Sequence, residues 1–177
     1  MIIALTGFMA SGKTTFGRAV AAQLGWDFAD LDEVIAGRYG TPAEIFAARG
    51  EAYFRELETS LLQEALQSGR DTILALGGGT LLREENLRLV KARATIIWLD
   101  TDFDIILSEI GNAERPLVRG KSVADIRALY ETRRPFYETA ADIAFPVVSR
   151  DYLQVIADLV LCIRSIQTFP KTAENNE

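Results

Sequence analysis

At 177 residues the chain falls in the single-domain range and is long enough to bury a substantial core. Its make-up, 49% apolar and 25% charged, is that of a folded globular protein rather than a disordered one. A formal net charge of -6 argues against a general nucleic-acid or membrane-surface binder, and the absence of histidine excludes Ser-His-Asp and Cys-His triads and the common zinc ligand sets.

The first unit reads strand, glycine loop, helix: apolar Ile2 to Leu5, a loop to Gly12, then a helix from Lys13 to Leu24. Phe16, Val20 and Leu24 recur on one face of that helix. The N-terminus lacks a basic region followed by an apolar stretch, because Lys13 and Arg18 interrupt it, so no targeting segment is expected. Trp26 to Ala29 is a short extended segment after the helix-stopping Gly25. Leu31 to Leu66 is mostly helical, with breaks at Gly40-Thr41-Pro42 and Arg49-Gly50. Thr41-Pro42-Ala43-Glu44 combines an N-cap threonine, a proline at the first helical position and a capping-box glutamate.

Thr72 to Leu76 is a buried strand, followed by the turn Gly77-Gly78-Gly79 and a helix near Glu84 to Lys91. Thr95 to Leu99 is another core strand and Asp102 to Ile110 is helical. Gly111 to Ser122 has no clear period and carries Gly, Asn, Pro and basic residues, which predicts a mobile loop. A helix is expected from about Val123 to Tyr137, a strand at Ile143 to Val148 and a helix at Tyr152 to Ile166. That last stretch contains Asp158 and Arg164 and is too short to span a bilayer. Lone Cys162 can form no internal disulfide, which fits a reducing cytoplasm, and its flanks LVLCI predict a buried structural thiol. The polar stretch from Gln167 to Glu177 is expected to fray.

Strands alternating with helices imply right-handed βαβ crossovers and a parallel sheet covered on both faces, a three-layer α/β/α arrangement. Ligands in such sheets gather at the carboxyl ends of the strands. Thr6-Gly7, Asp30-Leu31-Asp32 and Gly77-Gly78-Gly79 each lie just after a predicted strand, so they are expected to form one site.

Gly7-Phe8-Met9-Ala10-Ser11-Gly12-Lys13-Thr14 matches G-x-x-x-x-G-K-[ST]. The glycines let the backbone wrap an anion with its N–H groups pointing inward, and the following helix adds its positive end. Lys13 would reach the β- and γ-phosphates of ATP, and the Thr14 hydroxyl would coordinate Mg²⁺. By itself the motif marks a nucleotide site rather than a reaction. Asp30 and Asp32 sit two apart at a strand end, where both would point to one side. One would serve the metal shell and the other an acceptor hydroxyl, although Asp30 is equally suited to cap the helix that begins near Leu31.

Arg55 and Glu58 are neighbours on a helix, either as a solvated ion pair or as an arginine held by Glu58 and presented to a carboxylate. Phe46 and Phe54 read first as core, with a wall role beside Arg55 compatible. Three successive glycines, Gly77 to Gly79, point to something approaching the backbone closely. Arg133-Arg134-Pro135 lies near a helix end, where an exposed role is the plain reading. Arg115 and Arg119 in the predicted loop could fold over ATP and exclude water.

The set GFMASGKTT, DLDEVI, IFAARGEAYFRELE, LGGGT, RPLV and RRPFY, in this order, resembles the shikimate kinase family from Ile2 to about Ile166. The resemblance implies the fold of the P-loop nucleoside monophosphate kinase group, with a five-stranded parallel sheet. It implies one domain over 1–166 with substrate-binding helices at about 31–62 and a lid at about 111–122. The implied activity is transfer of the ATP γ-phosphoryl group to the 3-hydroxyl of shikimate, in the chorismate and aromatic amino-acid pathway. The alternative is a related small kinase acting on another hydroxy acid such as gluconate.

The resemblance also assigns roles. Gly7, Ala10, Ser11, Gly12, Lys13, Thr14 and Thr15 would hold the nucleotide, Thr14 and Asp30 the Mg²⁺. Asp32 would bind the shikimate hydroxyls and is the family's usual candidate base. Arg55 and Arg133 would hold the shikimate carboxylate with Glu58 orienting Arg55; Arg133 is preferred to Arg134 because it stands two before Pro135. Gly77, Gly78 and Gly79 would lie against the ring, beside Phe46 and Phe54, and Arg115 would arrive with the lid. Many members carry an arginine before the lid that stacks on adenine. Here that stretch is Leu107-Ser108-Glu109, and Arg150 is left to supply part of the contact. A monomeric cytoplasmic enzyme with ATP and shikimate as its small-molecule partners is expected.

Overall fold

Five short runs of apolar residues build the sheet: β1 (Ile2–Thr6), β2 (Asp27–Asp30), β3 (Thr72–Ala75), β4 (Thr95–Thr101) and β5 (Ile143–Val147). The structure is a computed structural model and describes residues 1–111, 122–149 and 151–168. All strand pairs are parallel, in the order β2-β3-β1-β4-β5. β1 is therefore central, with Ala4 opposite Leu74 on one side and Ile96 on the other. Edge strand β5 tolerates Pro146, whose missing N–H would break a central ladder.

Alternation along the strands sends side chains to two covered faces. Ile3 and Leu5 of β1, Ile97 and Leu99 of β4 and Phe145 of β5 pack under α1 (Lys13–Leu24) and α7 (Tyr152–Thr168). Ile2, Ala4, Leu74 and Ile96 face the opposite way, onto α2 (Leu31–Tyr39), α3 (Pro42–Ala65) and α4 (Glu84–Arg93). A third cluster joins the loop after β1 to α5 (Phe103–Gly111) and α6 (Val123–Ala140) through Phe8, Trp98, Ile106 and Tyr137. The three-layer α/β/α architecture expected from the sequence is thus present.

Local signals account for most boundaries. Thr41 and Glu44 form the anticipated capping box, with Pro42 at the first position of α3. The break foreseen at Gly50 is a kink inside α3, where φ is 83°. Cys162 is half-buried against the core rather than fully buried, and partial burial pushes its thiol pKa up. The expected mobile loop and lid fall almost wholly on 112–121, and most of the polar C-terminal stretch on 169–177, outside the described residues. Among the described residues no helix is long and apolar enough to cross a membrane.

Candidate active site

β1 ends at Thr6 and the chain turns through a loop with three left-handed or near left-handed positions: Gly7 (φ 145°), Ala10 (φ 62°) and Gly12 (φ 88°). A side chain at Gly7 would press on the Leu99 carbonyl at 3.0 Å, and one at Gly12 would overlap the Phe16 ring at 2.3 Å. Only glycine lets this loop close over the start of α1. Lys13 Nζ folds back over the loop and donates to the carbonyls of Gly7 (3.0 Å) and Phe8 (2.9 Å), which holds the ammonium at the loop mouth.

Asp30 caps α2, one of the two readings the sequence allowed, and also meets Thr14. Its Oδ1 caps α2 by accepting from the Asp32 and Glu33 N–H groups at 2.9 and 3.1 Å. Its Oδ2 accepts from Thr14 Oγ1 at 2.6 Å. The cap consumes one oxygen and leaves the other for the phosphate loop. Asp32 is not on an extended segment, as the sequence reading assumed, because β2 stops at Asp30 and Asp32 already lies in the first turn of α2. It reaches the site nonetheless: its Oδ1 is 2.9 Å from where a Cβ on Gly77 would stand. Asp32 keeps a path to water through the open cleft, yet protein surrounds it closely. Burial, reinforced by repulsion from Asp30 and opposed by Lys13, raises its pKa to about 6.

Arg55 and Glu58 pair at 2.9 Å, and Glu51 adds a second contact to Arg55 at 3.3 Å. The Glu58 side chain is 2% exposed, so this is no solvated surface pair. Its other oxygen accepts from Thr80 Oγ1 at 2.7 Å, in the 3₁₀ turn (Thr80–Leu82) that follows the three glycines. Asn86 of α4 donates to the Thr80 carbonyl at 3.0 Å. The Thr59 hydroxyl is shared between Asn86 Oδ1 (2.8 Å) and the Arg55 carbonyl (2.9 Å). A closed set of hydrogen bonds therefore fixes the glycine turn to the helix that carries Arg55.

Each glycine of the turn faces a charged side chain of the cleft. A Cβ on Gly77 would crowd Asp32, one on Gly78 would lie 3.8 Å from Arg133 Nη1, and one on Gly79 would lie 3.5 Å from Arg55 Nη2. Tyr137 pins the turn from the far side by donating to the Gly78 carbonyl at 2.6 Å. Of the two adjacent arginines, Arg133 enters the cleft while Arg134 is held outside by Asp100 (2.8 Å) and the Trp98 ring (5.3 Å). Phe46 and Phe54 pack edge-to-face at 4.9 Å and still contribute to the cleft wall, Phe54 being a core residue as well.

One cleft of about 860 Å³ gathers these groups. Ala10 through Thr15, Asp30 and Asp32 line one end, with Arg55, Glu58, Gly77 to Gly79 and Arg133 beside them. Gly7 shapes the loop from below. Arg115 and Arg150 lie outside the described residues. Sequence reasoning missed Thr59, Thr80, Asn86 and Tyr137, which are polar groups inside apolar surroundings. It also missed Glu109 and Tyr152 at the opposite end of the cleft.

The site suits a hydrated divalent cation. Thr14 and Asp30 offer hard oxygen donors at the mouth of an anion-binding loop, and no cluster of three or more acidic, Cys or His side chains forms a protein cage among the described residues. That donor set fits Mg²⁺ completed by phosphate oxygens and water.

Known proteins resemble this chain in sequence and in fold. A family model described as shikimate kinase matches residues 9–164. The shikimate kinase of Moorella thermoacetica is 40% identical over 140 residues, covering 78% of this chain and 80% of that protein. The one from Dictyoglomus turgidum is 34% identical over 167 residues, covering 92% and 96%. The solved structure of shikimate kinase from Acinetobacter baumannii in complex with shikimate superposes with a TM-score of 0.84 at 30% identity, covering 93% of each chain. Fold, phosphate loop and sequence coverage agree, and the chain belongs to the shikimate kinase family.

Proposed function

We propose that this chain transfers the γ-phosphoryl group of ATP to the 3-hydroxyl of shikimate, giving shikimate 3-phosphate and ADP. The carrying observation is that Asp32 stands between the phosphate loop and a glycine turn flanked by Arg55 and Arg133. A cyclic polyol with one carboxylate matches that layout: the two guanidiniums take the carboxylate, and the opposite side of the ring faces Asp32.

Phosphoryl transfer has little covalent chemistry for a protein to do, so positioning and charge stabilisation carry it. Arg55, held by Glu58 and Glu51, and Arg133 anchor the carboxylate. The glycine turn lets the ring lie close to backbone. Asp32 accepts the hydroxyl proton as the oxygen bonds to the γ-phosphorus and the bond to the ADP oxygen breaks. Lys13 leaves the loop carbonyls for the phosphoryl oxygens, and Arg115, carried by a lid at about 111–122, completes the charge clamp. Thr14 and Asp30 would hold Mg²⁺, which supplies charge neutralisation and orientation of the phosphates. The helices at about 31–62 form the acceptor side. The same reading makes the protein a cytoplasmic monomer, in keeping with its acidic surface and lone cysteine.

The test is release of ADP by purified protein with Mg-ATP and shikimate, run beside gluconate. Turnover with shikimate supports the reading. Turnover with gluconate alone overturns it.

A further inference from the structure

The peptide between Gly78 and Gly79 has no side chain on either flank to resist its turning over. A peptide unit stays planar and trans, so reversing it exchanges the directions of its carbonyl and its N–H. The end of the turn is fixed by its own contacts: Thr80 is tied to Glu58 and Asn86, and its N–H returns to the Gly77 carbonyl at 3.1 Å. The Gly78–Gly79 unit is gripped instead from α6, where the Tyr137 hydroxyl donates to the Gly78 carbonyl at 2.6 Å.

Tyr137 stands four residues after Arg133 on α6, so the two side chains share a face of the helix. Burial raises the Tyr137 pKa, and the charge and hydrogen bonding of Arg133 oppose that rise, which sets the guanidinium beside the hydroxyl. The Tyr137 ring, 2% exposed, packs in one cluster with Phe8, Met9 and Ala10 of the phosphate loop and with Trp98, 6.3 Å away between centroids. A Cβ on Gly78 would lie 3.5 Å from the Gly7 carbonyl oxygen and 3.6 Å from the Met9 nitrogen, so turn and phosphate loop are in near contact. One side chain therefore meets three parts of the site: the phosphate loop by packing, the glycine turn by its hydroxyl and Arg133 by charge.

We propose that Tyr137 is a positioning residue for the acceptor: its hydroxyl keeps the Gly78–Gly79 peptide in one orientation and registers the glycine turn against Arg133 and the phosphate loop. This rests on the phosphotransferase reading of the same cleft. Tyr137 does not line the cleft, so it acts through the turn and Arg133 rather than by touching a ligand. Without the hydroxyl, the Gly78 carbonyl loses a buried donor and regains one by turning toward water in the cleft. That reversal sets a carbonyl dipole against an acceptor carboxylate. Nucleotide phosphates bind on the other loop, whose packing against the Tyr137 ring does not need the hydroxyl.

The experiment is calorimetric titration of the full chain with shikimate and, separately, with ADP, for the unaltered protein and Tyr137→Phe, with thermal melts of both. Phenylalanine keeps the ring against the phosphate loop and removes only the hydroxyl. Tyr137→Phe is expected to weaken shikimate binding about tenfold or more, while ADP binding stays within about threefold. In steady-state kinetics with Mg-ATP the KM for shikimate should rise by a similar factor and the KM for ATP should not. A lowered Tm with both affinities unchanged, or an equal loss for both ligands, overturns the proposal and leaves Tyr137 a packing residue. Failure of the unaltered protein to bind shikimate would instead overturn the phosphotransferase reading, and the acceptor role of Tyr137 with it.

Discussion

Asp32 is surrounded by Asp30, Glu58, Lys13 and Arg55, and confinement among them raises its pKa to about 6. A base must be ionised to accept a proton, and kcat/KM reports groups of the free enzyme. With shikimate as substrate, kcat/KM should therefore be flat above about pH 6 and fall about tenfold per unit below it. Asp32→Asn should lose roughly a hundredfold or more in kcat, and the acidic limb with it. An unchanged limb in that variant would mean another group titrates. The sign for stability is opposite. The folded state holds the Asp32 proton more tightly than the unfolded chain, so the ionised group lowers stability as pH rises through about 6. Asp32→Asn should accordingly raise Tm at pH 8, and this advantage should vanish near pH 4 in thermal melts.

The two neighbouring arginines make a second residue-scale test. Arg133→Ala should raise the KM for shikimate by roughly a hundredfold while barely changing that for ATP, since a charge-assisted pair is lost on one substrate only. Arg134→Ala removes a half-exposed pair with Asp100 and should change neither KM by more than about threefold. Steady-state kinetics with each substrate varied in turn would show a reversed order if the assignment were wrong.

At the scale of elements, the glycine turn owes its position to α3 and α4 rather than to its own backbone. Thr80→Val deprives buried Glu58 of a donor, at a cost of about 1–3 kcal/mol in chemical denaturation. It should also raise the KM for shikimate more than that for ATP, because Glu58 orients Arg55. An effect on stability without that KM split would reduce Thr80 to a packing role. Gly12→Ala tests the other turn. It forces a side chain into a left-handed position and onto the Phe16 ring, so ADP binding should be lost while the far-UV spectrum survives.

Elements were legible where the signal is local. The face Phe16, Val20 and Leu24, spaced every four residues, the Thr41–Glu44 box and the helix stop at Gly25 each depend on signals that are close in sequence. Asp32 was misplaced onto an extended segment because a strand end and a helix cap differ by one residue, and Asp30 can terminate either. Thr80, Asn86 and Thr59 gave no warning, since their partners lie up to 27 residues away and small polar residues read as turn or surface. Tyr152 and Glu109 meet only after α5 and α7 are docked.

For the whole molecule, alternation of strands and helices is enough to read a parallel sheet, but strand order is set by packing that no short window contains. That order, with β1 between β3 and β4, puts the loop after β1 between the elements that follow β2 and β3 and those that follow β4 and β5. The resemblance carried by the ordered motifs supplied the acceptor's identity, and the proposed function sets its orientation: carboxylate toward Arg55 and Arg133, hydroxyl toward Asp32 and Lys13. Orientation is also what a product can record. Purified protein, Mg-ATP and shikimate should yield a single product whose phosphorus-to-proton coupling in NMR places the phosphate on the 3-hydroxyl. Phosphate on the 4- or 5-hydroxyl, or no phosphorylated shikimate at all, would contradict the account.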